Sequence, residues 1–145
     1  MQGLPHNYVV TASAQAESNA VLSSAGLPDL ETGPPAEFGG PGDLWSPETL
    51  FIGSVSDCFI LTFRAIARAS KLPWSSLECV ANGTLERIER STKFTAINIV
   101  ANLQIPAGTD PDKARLLLEK SEASCLITQS MTATVHLETV VTTET

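Results

Sequence analysis

The most strongly patterned segment of the chain reads Ser46-Pro47-Glu48-Thr49-Leu50-Phe51-Ile52-Gly53-Ser54-Val55-Ser56-Asp57-Cys58-Phe59. The Ser46 hydroxyl can cap a helix N-terminus, and Pro47 suits the first helical position. Glu48 favours the positive end of the helix dipole. These features predict a helix that begins at Ser46 and runs to about Ser70, where Lys71-Leu72-Pro73 ends it.

This helix carries a cysteine, Cys58, near its centre. Its apolar positions cover most of its circumference, which predicts a central element that is buried on several sides. They are Phe51, Ile52, Val55, Cys58, Phe59, Leu61, Thr62 and Ile66.

Two β segments follow the helix, at Leu77 to Ile88 and at Phe94 to Ile105. The charged stretch from Glu89 to Lys93 joins them, so we expect a hairpin. In the second segment apolar residues alternate with Asn and Gln, which indicates a strand with one buried face. Asp110-Pro111 then opens a second helix, and Met131 to Val141 returns as a strand.

The part of the chain before the helix is less regular. Residues Asn7 to Ala14 alternate enough to predict a strand, and the Gly- and Pro-rich region from Ser24 to Trp45 is predicted to be loop. The element order is β-loop-α-β-β-α-β, which is typical of an α+β domain. With 145 residues, of which 43% are hydrophobic and 17% charged, a single domain over residues 1–145 is expected.

Charge is distributed unevenly along the chain. All nine Lys and Arg lie from Arg64 onward, while seven acids in residues 1–63 account for the net charge of −7. Nucleic acid is therefore not an expected partner. The longest apolar run, Leu50 to Phe63, is too short for a bilayer and contains Asp57, and no signal-peptide pattern is present. We expect no membrane association and a cytoplasmic location.

The chain has three cysteines, Cys58, Cys79 and Cys125. In the cytosol such a number argues against a structural disulfide framework and towards redox, metal or core roles. Cys79 alternates with Leu77 and Ala81 on a predicted strand, which favours a core role. The two histidines lack zinc-ligand spacing with the cysteines, so no metal site is predicted.

Three sequence features together resemble one family. They are the helix start Pro47-Glu48-Thr49-Leu50, Cys58 within that helix, and the segment Cys125-Leu126-Ile127-Thr128, which begins 67 residues after Cys58. From about Leu44 to Val141 the chain resembles the osmotically inducible protein C and organic hydroperoxide resistance family (OsmC/Ohr).

The resemblance carries several expectations. It implies an OsmC-like α+β fold in which a long central helix, a β-hairpin and a second helix form an intertwined homodimer with active sites at the subunit interface. It also implies a thiol-dependent peroxidase that reduces organic hydroperoxides, with Cys58, Cys125 and Glu48 as catalytic residues. A dithiol reductant would reopen the Cys58–Cys125 disulfide, and no metal, haem or other cofactor is needed.

One element of the family pattern is missing. Where the family has an activating Arg before the helix, this chain reads Ala36-Glu37-Phe38-Gly39. Because Cys58 lies mid-helix beside Asp57, burial should raise its pKa, and an external cation is expected to be required. The candidate cations are Arg64, Arg87, Arg90, Lys93 and His6.

Two function classes follow from this departure. The first is a peroxidase that is weaker than Arg-bearing relatives. The second is a non-catalytic or divergent relative that keeps the fold and binds an apolar small molecule.

Overall fold

The fold consists of two three-stranded sheets and one long helix. The computed structural model describes residues 1–145 and divides into two compact units, Met1–Leu50 and Phe51–Thr145. The single domain over residues 1–145 stays a prediction.

The first unit contains the strands β1 (Thr11–Ser13), β2 (Ala20–Ser23) and β3 (Leu30–Thr32), which pair antiparallel in that order. The predicted strand over 7–14 is therefore shorter than expected, β2 was not predicted, and the predicted loop over 24–45 contains β3 and a 3-10 turn at Ala36–Phe38. Strands of three or four residues are too short to display an alternating pattern, which explains the errors.

Helix α1 (Pro47–Ala69) begins and ends within one residue of the prediction. Ser46 caps it reciprocally with Thr49: the Thr49 N–H donates to Ser46 Oγ at 3.1 Å, and the Ser46 N–H donates to Thr49 Oγ1 at 2.8 Å. This arrangement satisfies donors that a helix start leaves without partners.

The expectation that α1 is buried on several sides is wrong for the single chain. The fully buried residues, spaced by four, form one stripe of Val55, Phe59, Phe63 and Ala67. Phe51 and Leu61, by contrast, are 38% and 49% exposed. The sequence gives the apolar circumference, but one sheet can cover only one side of a helix.

By length and composition alone, α1 could cross a membrane, since it has 23 residues with a mean hydropathy of 1.6. A core helix of a soluble protein meets the same test. Its buried stripe packs against the apolar face of a sheet, as a core helix does.

The second unit holds the strands β4 (Ser76–Ile88), β5 (Ser91–Ile105) and β6 (Thr134–Thr143), in that sheet order. The β4–β5 pair is the predicted hairpin, and β6 runs parallel to β5. The connection is shorter than the predicted Glu89 to Lys93, because Ile88 pairs with Ser91 and Glu89 adopts a φ of 58°. The polar residues 91–93 extend the strand beyond its apolar part.

The core lies on one face of β5, which contributes Ile97, Ile99, Ala101, Leu103 and Ile105. Helix α2 (Pro111–Ser124) adds Ala114, Leu117 and Leu118, and its N-cap is Asp110, as predicted. A single-turn helix that was not predicted, α3 (Leu126–Gln129), follows Cys125. This combination of helices and mixed sheets confirms the α+β class.

Gly83 on β4 lets α1 approach the hairpin closely. A Cβ at this position would lie 2.8 Å from Ile52 Cγ1 and 3.1 Å from Phe94 Cδ1. Phe94 in turn stacks on Phe51, with ring centroids 5.0 Å apart. These contacts hold the helix that carries Cys58 against the sheet.

Candidate active site

Two cysteines from distant parts of the sequence meet in the second unit. Cys58 lies half-buried near the middle of α1, and Cys125, only 1% exposed, lies between α2 and α3. The two thiols are free, and each influences the pKa of the other. The structure therefore brings together the two sulfur atoms that the sequence singled out.

The chain starts a new helix, α3, directly after Cys125, and the free backbone N–H groups of its first turn lie near the two sulfurs. Cys125 is the N-cap of α3, and its carbonyl accepts from the Gln129 N–H at 3.1 Å. The first N–H groups of a helix have no partner within the helix. At α3 these groups belong to Leu126 and Ile127, and both act on the Cys58 sulfur in the direction that lowers its pKa.

The pKa of the Cys58 thiol lies below its ordinary value, although burial, the largest single influence, raises it. Hydrogen bonds from Cys125, from the Ile127 backbone, from the Thr62 side chain and from the Leu126 backbone together outweigh burial. Such bonds favour the charged form, because a thiolate accepts them more strongly than a thiol does. Neutral donors within the chain thus lower the pKa of Cys58, and the need for an external cation stays a prediction.

The Cys125 thiol shows the opposite behaviour. Burial raises its pKa, and the hydrogen bond to Cys58 raises it further, while the Thr128 backbone and hydroxyl and the Ile127 backbone act in the lowering direction. The structure thus favours a pair in which Cys58 loses its proton more readily than Cys125 does.

Cys79 is the third thiol. It lies half-buried on β4 and packs against the core, as predicted. Burial, together with the nearby charge of Cys125, raises the pKa of Cys79 to about 11. At neutral pH this thiol is protonated and is a poor nucleophile.

Glu48 lies in the first turn of α1, ten residues before Cys58. Its Oε2 atom is buried and has no hydrogen-bond partner. The catalytic role of Glu48 stays a prediction.

The predicted cations have no influence on the pKa of Cys58 within the single chain. Neither Lys, Arg nor His contributes to the shift of its pKa, and the single ion pair of the chain joins Arg115 and Asp112 at 3.0 Å. Arg64, Arg87, Arg90, Lys93 and His6 are all exposed.

The sequence reasoning missed the donors at Thr62, Leu126 and Ile127. The position of Thr62, four residues after Cys58 in a helix, was a usable signal, because such residues lie on the same face. The short helix that begins at Leu126 has only four residues, which is too few for a periodic sequence pattern to predict it.

The fold and the site define a class, an α+β protein in which a cysteine of the long helix lies near a second cysteine between two shorter helices. Comparison with known families is specific, because residues 40–140 match the model of OsmC-like proteins. The chain belongs to this family.

A curated relative and several solved structures are similar to the chain. An uncharacterized protein of Bacillus subtilis, YmaD, is 28% identical over 111 residues, which is 72% of this chain and 71% of the relative. Among solved structures, an organic hydroperoxide resistance protein OsmC of Legionella pneumophila has a TM-score of 0.73 at 23% identity, with 95% of this chain and 99% of that chain covered. An OsmC-like protein of unknown function from Vibrio cholerae has a TM-score of 0.79 at 18% identity and coverages of 95% and 100%. These likenesses establish the OsmC fold.

Proposed function

We propose that this protein is a thiol-dependent peroxidase that reduces organic hydroperoxides, with Cys58 as the attacking and Cys125 as the resolving cysteine. One observation carries the proposal: the two thiols interact across the fold, and the pKa of Cys58 is lowered while that of Cys125 is raised. Such a division gives one thiolate and one retained thiol, which is what the two successive steps require.

In the first step the Cys58 thiolate attacks the terminal oxygen of the hydroperoxide. A sulfur–oxygen bond forms, the oxygen–oxygen bond breaks, and the alkoxide leaves and takes up a proton to become the alcohol. Cys58 is oxidised to a sulfenic acid while the peroxide is reduced.

In the second step the sulfur of Cys125 attacks the sulfur of the Cys58 sulfenic acid. A disulfide forms, the sulfur–oxygen bond breaks, and the leaving hydroxide takes the Cys125 proton to give water. An external dithiol then reduces the disulfide by exchange, returns two thiols and is itself oxidised to a disulfide. These steps use thiols and peroxide alone, and a cytoplasmic location, which stays a prediction, would supply the reductant.

The surroundings of Cys58 favour substrates with an apolar tail. Leu61, 49% exposed, follows Cys58 by one helical turn, and Leu126, whose backbone bonds to the Cys58 sulfur, is 66% exposed. Burying such side chains against an alkyl or aryl group is favourable in proportion to the apolar area covered. We expect bulky organic hydroperoxides to react faster than hydrogen peroxide.

The test is to add one equivalent of tert-butyl hydroperoxide to the reduced protein and to map its thiols by mass spectrometry. The expected result is the loss of two thiols per chain, a Cys58–Cys125 disulfide, free Cys79 and one equivalent of tert-butanol. A disulfide that contains Cys79 would contradict the assignment of the pair. Unchanged thiols would favour the alternative of a non-catalytic relative.

The working unit proposed here is a homodimer with a shared active-site region. Phe51 and Leu61 on α1 are exposed apolar side chains, and so are Leu85 and Ile88 on β4. The end of the hairpin extends past β6, whose pairing with β5 starts at Ala96. A two-stranded projection is marginally stable alone, so a partner is favoured.

Sedimentation or light scattering at micromolar concentration tests this assembly. We expect a dimer whose interface buries at least about 1,000 Å². A donor from the partner could also satisfy the buried Oε2 atom of Glu48. A monomer under these conditions would remove the shared site from the proposal but would leave the Cys58–Cys125 chemistry within one chain.

A further inference from the structure

The hydroxyl of Thr62 has an unusual partner for a helical hydroxyl. Ser54 and Ser56, on the same helix, donate back to backbone carbonyls, at 2.6 Å to Phe51 and at 3.1 Å to Gly53. Thr62 instead forms a hydrogen bond with Cys58, with 3.7 Å between Oγ1 and Sγ. Its hydroxyl therefore pairs with the sulfur and not with the helix backbone.

The direction of this bond depends on the state of Cys58. An ionised sulfur has no proton to give, so Thr62 must be the donor when Cys58 is a thiolate. The half-buried position of both residues keeps the bond away from full competition with water.

We propose that Thr62 is a positioning residue that donates a hydrogen bond to the ionised sulfur of Cys58 and holds it beside the first turn of α3. This role deepens the proposed peroxidase function and gives the site a neutral donor in place of a cation. The Thr62 hydroxyl and the α3 backbone approach the sulfur from different elements, so together they fix its position.

The titratable and charged groups near Cys58 are few. Cys125, between α2 and α3, is the ionisable group bonded to it, and Cys79 on β4 lies close enough to be affected by the charge of Cys125. On α1 itself, Asp57 and Arg64 are exposed and do not contribute to the shift of the Cys58 pKa. A change at Thr62 therefore acts on Cys58 without altering a neighbouring charge.

The experiment measures the rate of Cys58 alkylation by iodoacetamide as a function of pH, by peptide mass spectrometry, in a Cys79→Ala background. Thr62→Val removes the hydroxyl and keeps the branched shape. We expect the midpoint of the alkylation profile to rise by about one pH unit, which corresponds to roughly a tenfold loss of thiolate below the midpoint. Thr62→Ser should restore most of the shift, because it keeps the donor.

Two further variants make the result specific. Ser56→Ala removes a hydroxyl of α1 that bonds to a backbone carbonyl, and it should leave the midpoint unchanged. Thr62→Ala replaces Thr62→Val if the valine variant does not fold, as judged by its thermal unfolding curve.

The proposal is overturned if a folded Thr62→Val or Thr62→Ala variant alkylates with the wild-type midpoint, or if Thr62→Ser shifts it as far as Thr62→Val. The assay contains no peroxide, so its outcome is independent of whether the protein reduces hydroperoxides. Failure of the peroxidase proposal would show instead as unchanged thiols after hydroperoxide treatment.

Discussion

Replacing Cys58 by serine is expected to abolish hydroperoxide reduction, with a fall in rate of at least about two orders of magnitude. The reason is that the thiolate is the nucleophile, and hydrogen bonds from Cys125, Ile127, Thr62 and Leu126 stabilise its charge in this structure. A serine hydroxyl in the same place stays protonated at neutral pH. The measurement is the consumption of an organic hydroperoxide in the presence of a dithiol reductant.

The matched control is Cys79→Ala. Cys79 has a pKa raised to about 11 and takes no part in the proposed steps, so this variant should retain most of the activity. Both variants need thermal unfolding curves close to that of the wild type. If Cys58→Ser reduces hydroperoxide at the wild-type rate, Cys58 is not the attacking group and the proposed mechanism is wrong.

Replacing Cys125 by serine is expected to have the second-largest effect on hydroperoxide reduction: it should stop repeated turnover but leave the first reaction intact. Attack by Cys58 should persist, because serine can still donate a hydrogen bond to the thiolate. The disulfide cannot form, so the reaction should show a burst of about one equivalent per chain and then stall. With excess peroxide, mass spectrometry should find Cys58 as sulfinic or sulfonic acid, which the wild type avoids by forming the disulfide.

The burst separates the roles of the two cysteines. If Cys125→Ser turns over at the wild-type rate with a dithiol reductant, the reductant attacks the Cys58 sulfenic acid directly and Cys125 is not the resolving thiol. If the burst is absent as well, Cys125 is needed for the first step, and its hydrogen bond to Cys58 contributes more than the serine can replace.

The pH dependence follows from the directions of the shifts. Because the pKa of Cys58 is lowered in the folded protein, its thiolate forms at a lower pH than that of a free cysteine. Ionisation of Cys58 therefore stabilises the fold, and this stability is lost as the pH falls through the lowered pKa. The raised pKa of Cys125 keeps its proton in place over the same range.

Local signals in the sequence determined several parts of the fold. The cap at Ser46, the proline at position 47 and the apolar spacing that follows specify α1. The alternation of apolar and polar residues along β5 predicts which of its faces is buried. Asp110-Pro111 predicts the start of α2. These features depend on residues within one or two turns of each other, so no long-range information is needed.

Two features could not be predicted from local sequence patterns: the short strands before Trp45 and the partial burial of α1. Strands of three or four residues form through pairing with neighbours, which a sequence window does not contain. The position of the sheet determines which side of α1 is buried. The sequence shows only that apolar residues surround the helix.

The sequence by itself determined the central helix and indicated the family, and it predicted the two cysteines of the site from their place in the family pattern. Only the tertiary structure decided which neutral donors lower the pKa of Cys58. Its donors include N–H groups of Leu126 and Ile127, which lie in another part of the chain. Their effect depends on the folding of α1 against the start of α3, because a hydrogen bond acts over a few ångströms in space and leaves no periodic trace in the sequence.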